Sequence, residues 1–416
     1  MRHGLTTRCF AAILLVSMII DVVLPIQRAN GIQASQSTTR YTLQFSSNNS
    51  WNFLETIMKY NPRFPGTVGI NETAACIESA LVDNGGTVIE EPFTVNGVHC
   101  KNIIGEWKPA VDDSGQIVIL ASHYDARARA SQDPDPSKRN DTMPAADDGG
   151  SSTVILMELA RILNNLYNNT TLGIRRETWL VFFDAEDQGN DGNGDGMARW
   201  DWCQGSSTMA TNIVAFTGNT SRVVLFTLLD MVGGIGLQVN HEMFSNQSLL
   251  ASFFAMGQCL GYGQYFSSSA KSYYIEDDHG PFIDINIPSI DIIDLDYPQW
   301  HTTSDDLVHV SASVIGSVGR VSEAFLLSNL VDSSSLAITD SDTGKTWTAS
   351  GCTFNNSWFD FTGFLGQYWP YLLLVGLVII VVTIILHERL RKSQSGQTRH
   401  KLARASTSQP PNTGRE

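Results

Sequence analysis

Five short segments carry the side chains able to hold a divalent metal. Ser122-His123-Tyr124-Asp125 follows the apolar run 116–121, and Asp184-Ala185-Glu186-Asp187 follows the run 178–183. Asp230 ends the run 223–229, and Trp300-His301-Thr302 stands a short loop beyond the run 287–293. Asp147-Asp148-Gly149-Gly150-Ser151 lies just before the stretch 151–166, whose apolar residues recur at helical period. Two imidazoles and several carboxylates without thiolates have the nitrogen and oxygen composition of a zinc site. Each segment alone has an ordinary explanation. A histidine after a strand is usually a surface group, and an Asp pair before a helix usually caps its free N–H groups. Five such segments, each at a strand end or a helix start, point to convergence.

The elements that must position them alternate. Residues 51–60 and 71–84 have helical spacing, and 88–95 and 100–107 read as strands. After the strands and helix above come a helix over 249–260 and another over 308–327. Strand–helix alternation of this kind predicts one α/β domain around a largely parallel sheet. Ligands in such sheets bind in the crevice beyond the carboxyl ends of the strands, where four of the five segments fall.

Composition narrows the class. The chain has 416 residues, 42% apolar and 17% charged, with a net charge of −15. That is a globular composition, and so acidic a protein lacks the basic footprint of a nucleic-acid binder. The ends differ from the middle. Arg2 and Arg8 precede an apolar run, so 1–34 reads as a signal peptide or N-terminal anchor. Residues 35–49 read as a polar linker, 50–330 as the catalytic domain and 331–363 as a Ser/Thr/Asp stalk. Residues 364–386 are nearly all apolar and long enough to cross a bilayer core of ~30 Å. Tyr368, Trp369 and Tyr371 stand near the start of that run, where an aromatic belt belongs, and Arg389, Arg391 and Lys392 follow its end. This predicts a single C-terminal transmembrane helix and a basic cytoplasmic tail over 387–416. The catalytic domain would then face the cell exterior or a lumen. Eight asparagines in N-x-Ser/Thr patterns agree: Asn48, Asn71, Asn140, Asn168, Asn169, Asn219, Asn246 and Asn355. Cys76 with Cys100, and Cys203 with Cys259, are pairings that spacing admits without fixing.

The series Ser-His-Tyr-Asp at 122–125, Ala-Ala-Asp-Asp-Gly-Gly-Ser at 145–151, Phe-Phe-Asp-Ala-Glu-Asp at 182–187, Leu-Leu-Asp-Met-Val-Gly at 228–233, Asp-Asp-His-Gly-Pro-Phe at 277–282 and Trp-His-Thr at 300–302 resembles the family-28 zinc metallopeptidases. Within them it is most similar to the glutaminyl cyclase branch, the bacterial type in particular, over residues 51–330. The resemblance implies a zinc aminopeptidase-like, three-layer domain with a central mixed, mostly parallel sheet. It implies one or two zinc ions, with Asp148 as the shared ligand. Asp187 and His301 would complete one site, His123 and Asp230 the other. Glu186 would be the general acid/base, and Asp125 would orient His123 as metal-bound imidazoles generally need. Asp277 would join Glu186 and Asp230 through hydrogen bonds in a proton relay. Asp187 stands where many relatives have Glu.

Two chemistries fit that set, both acting on the free N-terminus of a peptide or protein. A glutaminyl cyclase lets the α-amine of an N-terminal Gln attack its own γ-carboxamide, releasing ammonia. An aminopeptidase hydrolyses the first peptide bond. Trp300 before the second histidine favours the cyclase, since a Trp can wall a small apolar pocket; Trp202 is the other expected substrate contact. An inactive, membrane-tethered binding ectodomain is the reading from another class. Asp191, Asn193 and Asp195 have the spacing of a calcium loop, but Trp202 stands where its bidentate Glu belongs, so only a looser calcium site is expected. The sequence sets no oligomeric state.

Overall fold

The computed structural model describes residues 38–190 and 196–354. In chain order the elements are β1 (Thr39–Thr42), α1 (Ser47–Ile57), α2 (Val68–Asp83), β2 (Thr87–Val95), β3 (Val98–Trp107), β4 (Ile117–His123), α3 (Gly150–Asn168) and β5 (Glu177–Phe183). Then follow α4 (Gln204–Thr217), β6 (Val223–Asp230), β7 (His241–Glu242), α5 (Gln247–Leu260), β8 (Ser272–Tyr273), α6 (Gly280–Asp284), β9 (Ser289–Ile293), α7 (Ala312–Leu330), β10 (Leu336–Thr339), β11 (Lys345–Thr348) and β12 (Gly351–Phe354).

Every residue of β4, β5 and β9 is buried, as expected of strands covered on both faces. Their side chains alternate between two cores. Val118, Leu120, Leu180 and Phe182 pack with α1, α2, α3, α5 and α7. Ile117, Ile119, Ala121, Val181 and Phe183 pack on the other side with Met209 and Ile213 of α4 and Phe282 of α6. The result is helix, sheet, helix in three layers. The central sheet runs β2-β3-β5-β4-β6-β9. β5, β4, β6 and β9 are mutually parallel, and β3 joins β5 antiparallel. The expected mixed, mostly parallel sheet is therefore present. Register matters for the site: His123 pairs with Phe183 and Asp230 with Ile293. The carboxyl ends of four strands thus finish at one rim.

Both expected flanks of the catalytic domain differ from the structure. The linker over 35–49 contains β1 and the start of α1, and the stalk over 331–363 contains β10, β11 and β12 as far as it is described. β1 pairs parallel with β10, and β11 and β12 complete a second sheet. Polar composition concealed a short apolar alternation. Tyr41, Leu43, Phe45, Leu336 and Ile338 are buried in the main core, and the buried Glu323 of α7 accepts hydrogen bonds from Tyr41 Oη and from the Gln44 and Phe45 N–H groups. Neither expected cysteine pair forms. Cys259 is bonded to Cys352, while Cys76, Cys100 and Cys203 are free thiols.

The leader over 1–34, the apolar span over 364–386, the tail over 387–416 and the calcium loop at Asp191, Asn193 and Asp195 lie outside the described residues. Among the described residues, no helix is long and apolar enough to cross a membrane.

The disulfide ties β12 to α5. Cys352→Ser is expected to lower stability by about 2–4 kcal/mol and to speed proteolysis within residues 340–354. Unchanged melting and unchanged cleavage would show the second sheet to be held by packing alone.

Candidate active site

At the sheet rim Asp148 stands between two imidazoles. Its Oδ1 lies 3.3 Å from His123 Nε2 and its Oδ2 3.5 Å from His301 Nε2. His123 Nε2 is also 3.1 Å from Asp230 Oδ1, and His301 Nε2 is 2.9 Å from Asp187 Oδ1. The five side chains form two sets, His123–Asp148–Asp230 and Asp148–Asp187–His301, and within each set one candidate donor atom per residue lies within 4.8 Å of the others. All five are buried.

Their local backbone is unusual. Ala185, Met231 and His301 have φ of 63°, 45° and 55°, a region few non-glycine residues occupy, and such outliers cluster at functional sites. Gly149 has φ of 73°, and a Cβ there would lie 2.6 Å from His123 Cε1, so only glycine lets the ring approach. Asp125 was expected to orient His123. Its Oδ1 is 3.5 Å from His123 Nδ1, and its firm bonds go elsewhere: it accepts from Glu186 N–H at 3.0 Å, Asp187 N–H at 3.3 Å and Gln188 Nε2 at 2.8 Å. Asp125 thus fixes the turn that presents Glu186 and Asp187.

Three positioning residues were not foreseen. Asp305 is buried and accepts the N–H groups of Asp147 at 2.9 Å and Asp148 at 3.1 Å, with Tyr297 Oη at 2.9 Å. Asp147 accepts Gly233 N–H at 2.6 Å, tying the segment after Asp230 to the same loop. Arg127 donates to the Asp187 carbonyl at 2.7 Å and lies 4.6 Å over the Trp202 ring. Only Asp147 offered a signal, as the neighbour of Asp148; Asp305 and Arg127 stand in loops without periodicity or motif.

Aromatic walls complete the cleft. Trp300 stacks on His301 with centroids 4.1 Å apart, and Trp202 lies parallel to it at 6.0 Å. The cleft is about 280 Å³, with Glu186, Met231, Tyr274, Ile275, Ile293 and Leu295 around it. Glu186 accepts from Cys203 Sγ at 3.6 Å, and donor atoms of Glu186, Cys203 and Asp277 lie within 4.8 Å of one another. Among the described residues Glu186 makes neither of the expected hydrogen bonds to Asp230 and Asp277; its carboxylate partner is Cys203 Sγ. Burial holds the carboxyls of Glu186, Asp277 and Asp291 well above the usual range; Asp230 adds to it for Asp277 and Asp277 for Asp291, while His123 opposes it for Glu186.

The electrostatics call for a cation. Burial, then Asp187, pushes Asp148 up to about 6, and burial raises Asp187 to about 7 despite Arg127. Burial lowers His301 to about 3, leaving it a neutral donor. Burial opposes charge on His123, but Asp230 and the other carboxylates outweigh it. Asp148 Oδ2 and Asp187 Oδ2 are buried without a hydrogen-bond partner. Clustered buried carboxylates with unused oxygens and a thiolate-free donor set fit zinc.

The sequence profile of peptidase family M28 matches residues 102–326. The glutaminyl-peptide cyclotransferase of Boiga irregularis is 25% identical over 329 residues, covering 71% of this chain and 84% of that protein. The crystal structure of Porphyromonas gingivalis glutaminyl cyclase superposes with a TM-score of 0.60 at 28% identity, covering 69% of this chain and 99% of that one. A Zn-dependent exopeptidase from Parabacteroides distasonis superposes with a TM-score of 0.61 at 28% identity, with the same coverage.

Carboxyls raised on folding bind more protons in the folded than in the unfolded state, where they titrate near 4. The contribution of Asp148, Asp187 and Asp305 (about 7) to the stability of the metal-free protein therefore falls as pH rises from about 4 through 7. Added zinc should raise the melting temperature of chelator-treated protein more at pH 8 than at pH 5. An equal or smaller gain at pH 8 would contradict this account of the cluster.

Proposed function

The chain belongs to peptidase family M28, and we propose that it is a glutaminyl-peptide cyclotransferase, converting the N-terminal Gln of peptides or proteins to pyroglutamate with loss of ammonia. The observation that carries the reading is the second buried carboxyl, Asp277, beside Glu186. A peptidase needs one general acid/base at its water. A cyclase must carry a proton from the attacking amine to the departing nitrogen, and a carboxyl cluster that holds a proton suits that task.

The residues divide the work. Trp300, Trp202 and the apolar floor of Met231, Ile293 and Leu295 enclose the Gln side chain and exclude water. Glu186, set by Asp125 through the turn, takes a proton from the α-amine as its nitrogen bonds to Cδ, the carbonyl carbon of the γ-carboxamide. The same proton passes to the departing NH₂ as the old C–N bond breaks, so ammonia leaves and no water is consumed. Asp277 and Asp291 keep the proton within the site. Zinc held by Asp148, Asp187 and His301, with a second position at His123, Asp148 and Asp230, would polarise the γ-carbonyl as a Lewis acid. One ion suffices for cyclisation.

The aminopeptidase reading is favoured by a different observation: both three-residue metal sets are complete, and hydrolysis by paired ions uses both. That completeness also argues against a binding-only ectodomain. The zinc-loaded protein is expected to remove one ammonia from a Gln-initiated peptide and to leave a Leu-anilide intact. Glu186→Gln should retain zinc and lose roughly 10²–10⁴-fold in turnover. Anilide release without ammonia loss would replace the cyclase by the peptidase, and full activity of Glu186→Gln would remove that residue from the chemistry.

We further propose that the catalytic unit lies outside the cytoplasm, tethered by residues 364–386. Asn48, Asn71, Asn140, Asn168, Asn169, Asn219 and Asn246 are all exposed, which supports N-glycosylation. Endoglycosidase treatment of protein expressed in eukaryotic cells is expected to lower its apparent mass; no change would count against this topology.

A further inference from the structure

The cleft over Glu186 and His301 adjoins a second hollow. This groove, of about 370 Å³, is lined by Phe244, Pro281 and Ile283 and shares Trp202, Ile275, Glu276 and Asp277 with the cleft. Two large aromatic side chains stand at the junction. Phe244 is 54% exposed and Tyr274 71% exposed, and they meet edge to face with centroids 5.1 Å apart. Single exposed apolar residues are ordinary, whereas a contiguous set beside a cleft marks a binding surface.

The backbone beneath these rings is fixed in advance. Glu242 is fully buried and accepts the N–H groups of Phe244 at 2.9 Å, Ser245 at 2.6 Å and Ile275 at 3.2 Å. His279 Nε2 lies 3.1 Å from the same carboxylate, and Met243 N–H donates to the Tyr273 carbonyl at 2.8 Å. One carboxylate therefore locks segments 243–245 and 273–275 together. Exposed aromatics on a locked backbone form a surface that loses little freedom when it is covered.

We propose that this groove is the subsite for the substrate residue that follows the N-terminal one, and that it takes an apolar, preferably aromatic, side chain. The assignment rests on the function given above. Its basis is adjacency: a cleft of about 280 Å³ holds one terminal residue, and Trp202, Ile275, Glu276 and Asp277 line both that cleft and the groove beside it. The ring of the second residue lies against Phe244 and Ile283, and the peptide leaves past Glu276.

The test compares Gln-Phe-Ala-amide with Gln-Gly-Ala-amide on the zinc-loaded full-length protein. Filling an apolar pocket should favour Phe over Gly by roughly 10-fold or more in kcat/KM, chiefly through KM. Phe244→Ala should reduce that preference to within about twofold, and Phe244→Tyr should keep it, with folding of each variant checked by melting. Equal turnover of the two peptides by the unsubstituted protein, or a preference unchanged in Phe244→Ala, overturns the subsite while leaving the cyclase in place. If neither Gln peptide loses ammonia, the cyclase reading falls. The same comparison on Leu-Phe-Ala-amide and Leu-Gly-Ala-amide then judges the groove by peptide-bond hydrolysis. A Phe preference there upholds it, and equal or absent hydrolysis removes it.

Discussion

The constraint on which the molecule turns is the placement of one carboxylate between two imidazoles. Asp148 can offer an oxygen to each of His123 and His301 only if its own backbone is held from behind. Asp305 supplies that support through two N–H bonds, and Gly149 leaves the space that the His123 ring occupies. Asp187 and Asp230 bring further negative charge to the same buried point. Like charges in low dielectric repel strongly, so Asp148 and Asp187 depend on a cation to remain ionised together. The sheet makes the arrangement repeatable, since parallel strands in fixed register end at one edge.

Positioning at this site is layered. Asp125 grips the Glu186 turn, Asp147 grips the segment after β6, and Arg127 grips Asp187 while lying over Trp202. Each is a polar side chain used chiefly on backbone atoms. Such bonds suit loops, which lack a ladder of their own to fix them. The strained residues Ala185, Met231 and His301 sit where these grips meet.

Much of this was legible in the sequence for physical reasons. β4, β5, β6 and β9 are apolar runs; β4 and β6 end in His123 and Asp230, and β5 is followed at once by Asp184-Ala185-Glu186-Asp187. The metal candidates stood out because they interrupt apolar runs. The supporting residues were not legible: Asp305 and Arg127 lie in loops, where no periodicity distinguishes a backbone clamp from a solvated charge. The second sheet was missed because its strands are four residues each, rich in Thr and flanked by Ser-rich segments, a composition shared with extended linkers. Its burial rests on a few residues, Tyr41, Phe45 and Ile338 among them, whose partners lie far away in the chain. Helix α4 escaped because residues 204–217 are small and polar enough to blur the helical period. The Cys259–Cys352 pair could not be read from spacing, since 93 residues separate the two.

That second sheet has a consequence for biosynthesis. β1 takes β10 as its parallel partner, Thr39 opposite Leu336. About 300 residues must therefore leave the ribosome before the first strand meets its mate, roughly 15–60 s at ordinary elongation rates of 5–20 residues/s. During that interval Tyr41, Leu43 and Phe45 lack the surface that finally covers them. The segment Tyr41–Phe45 is thus open to aggregation or chaperone capture until β10 emerges to cover it.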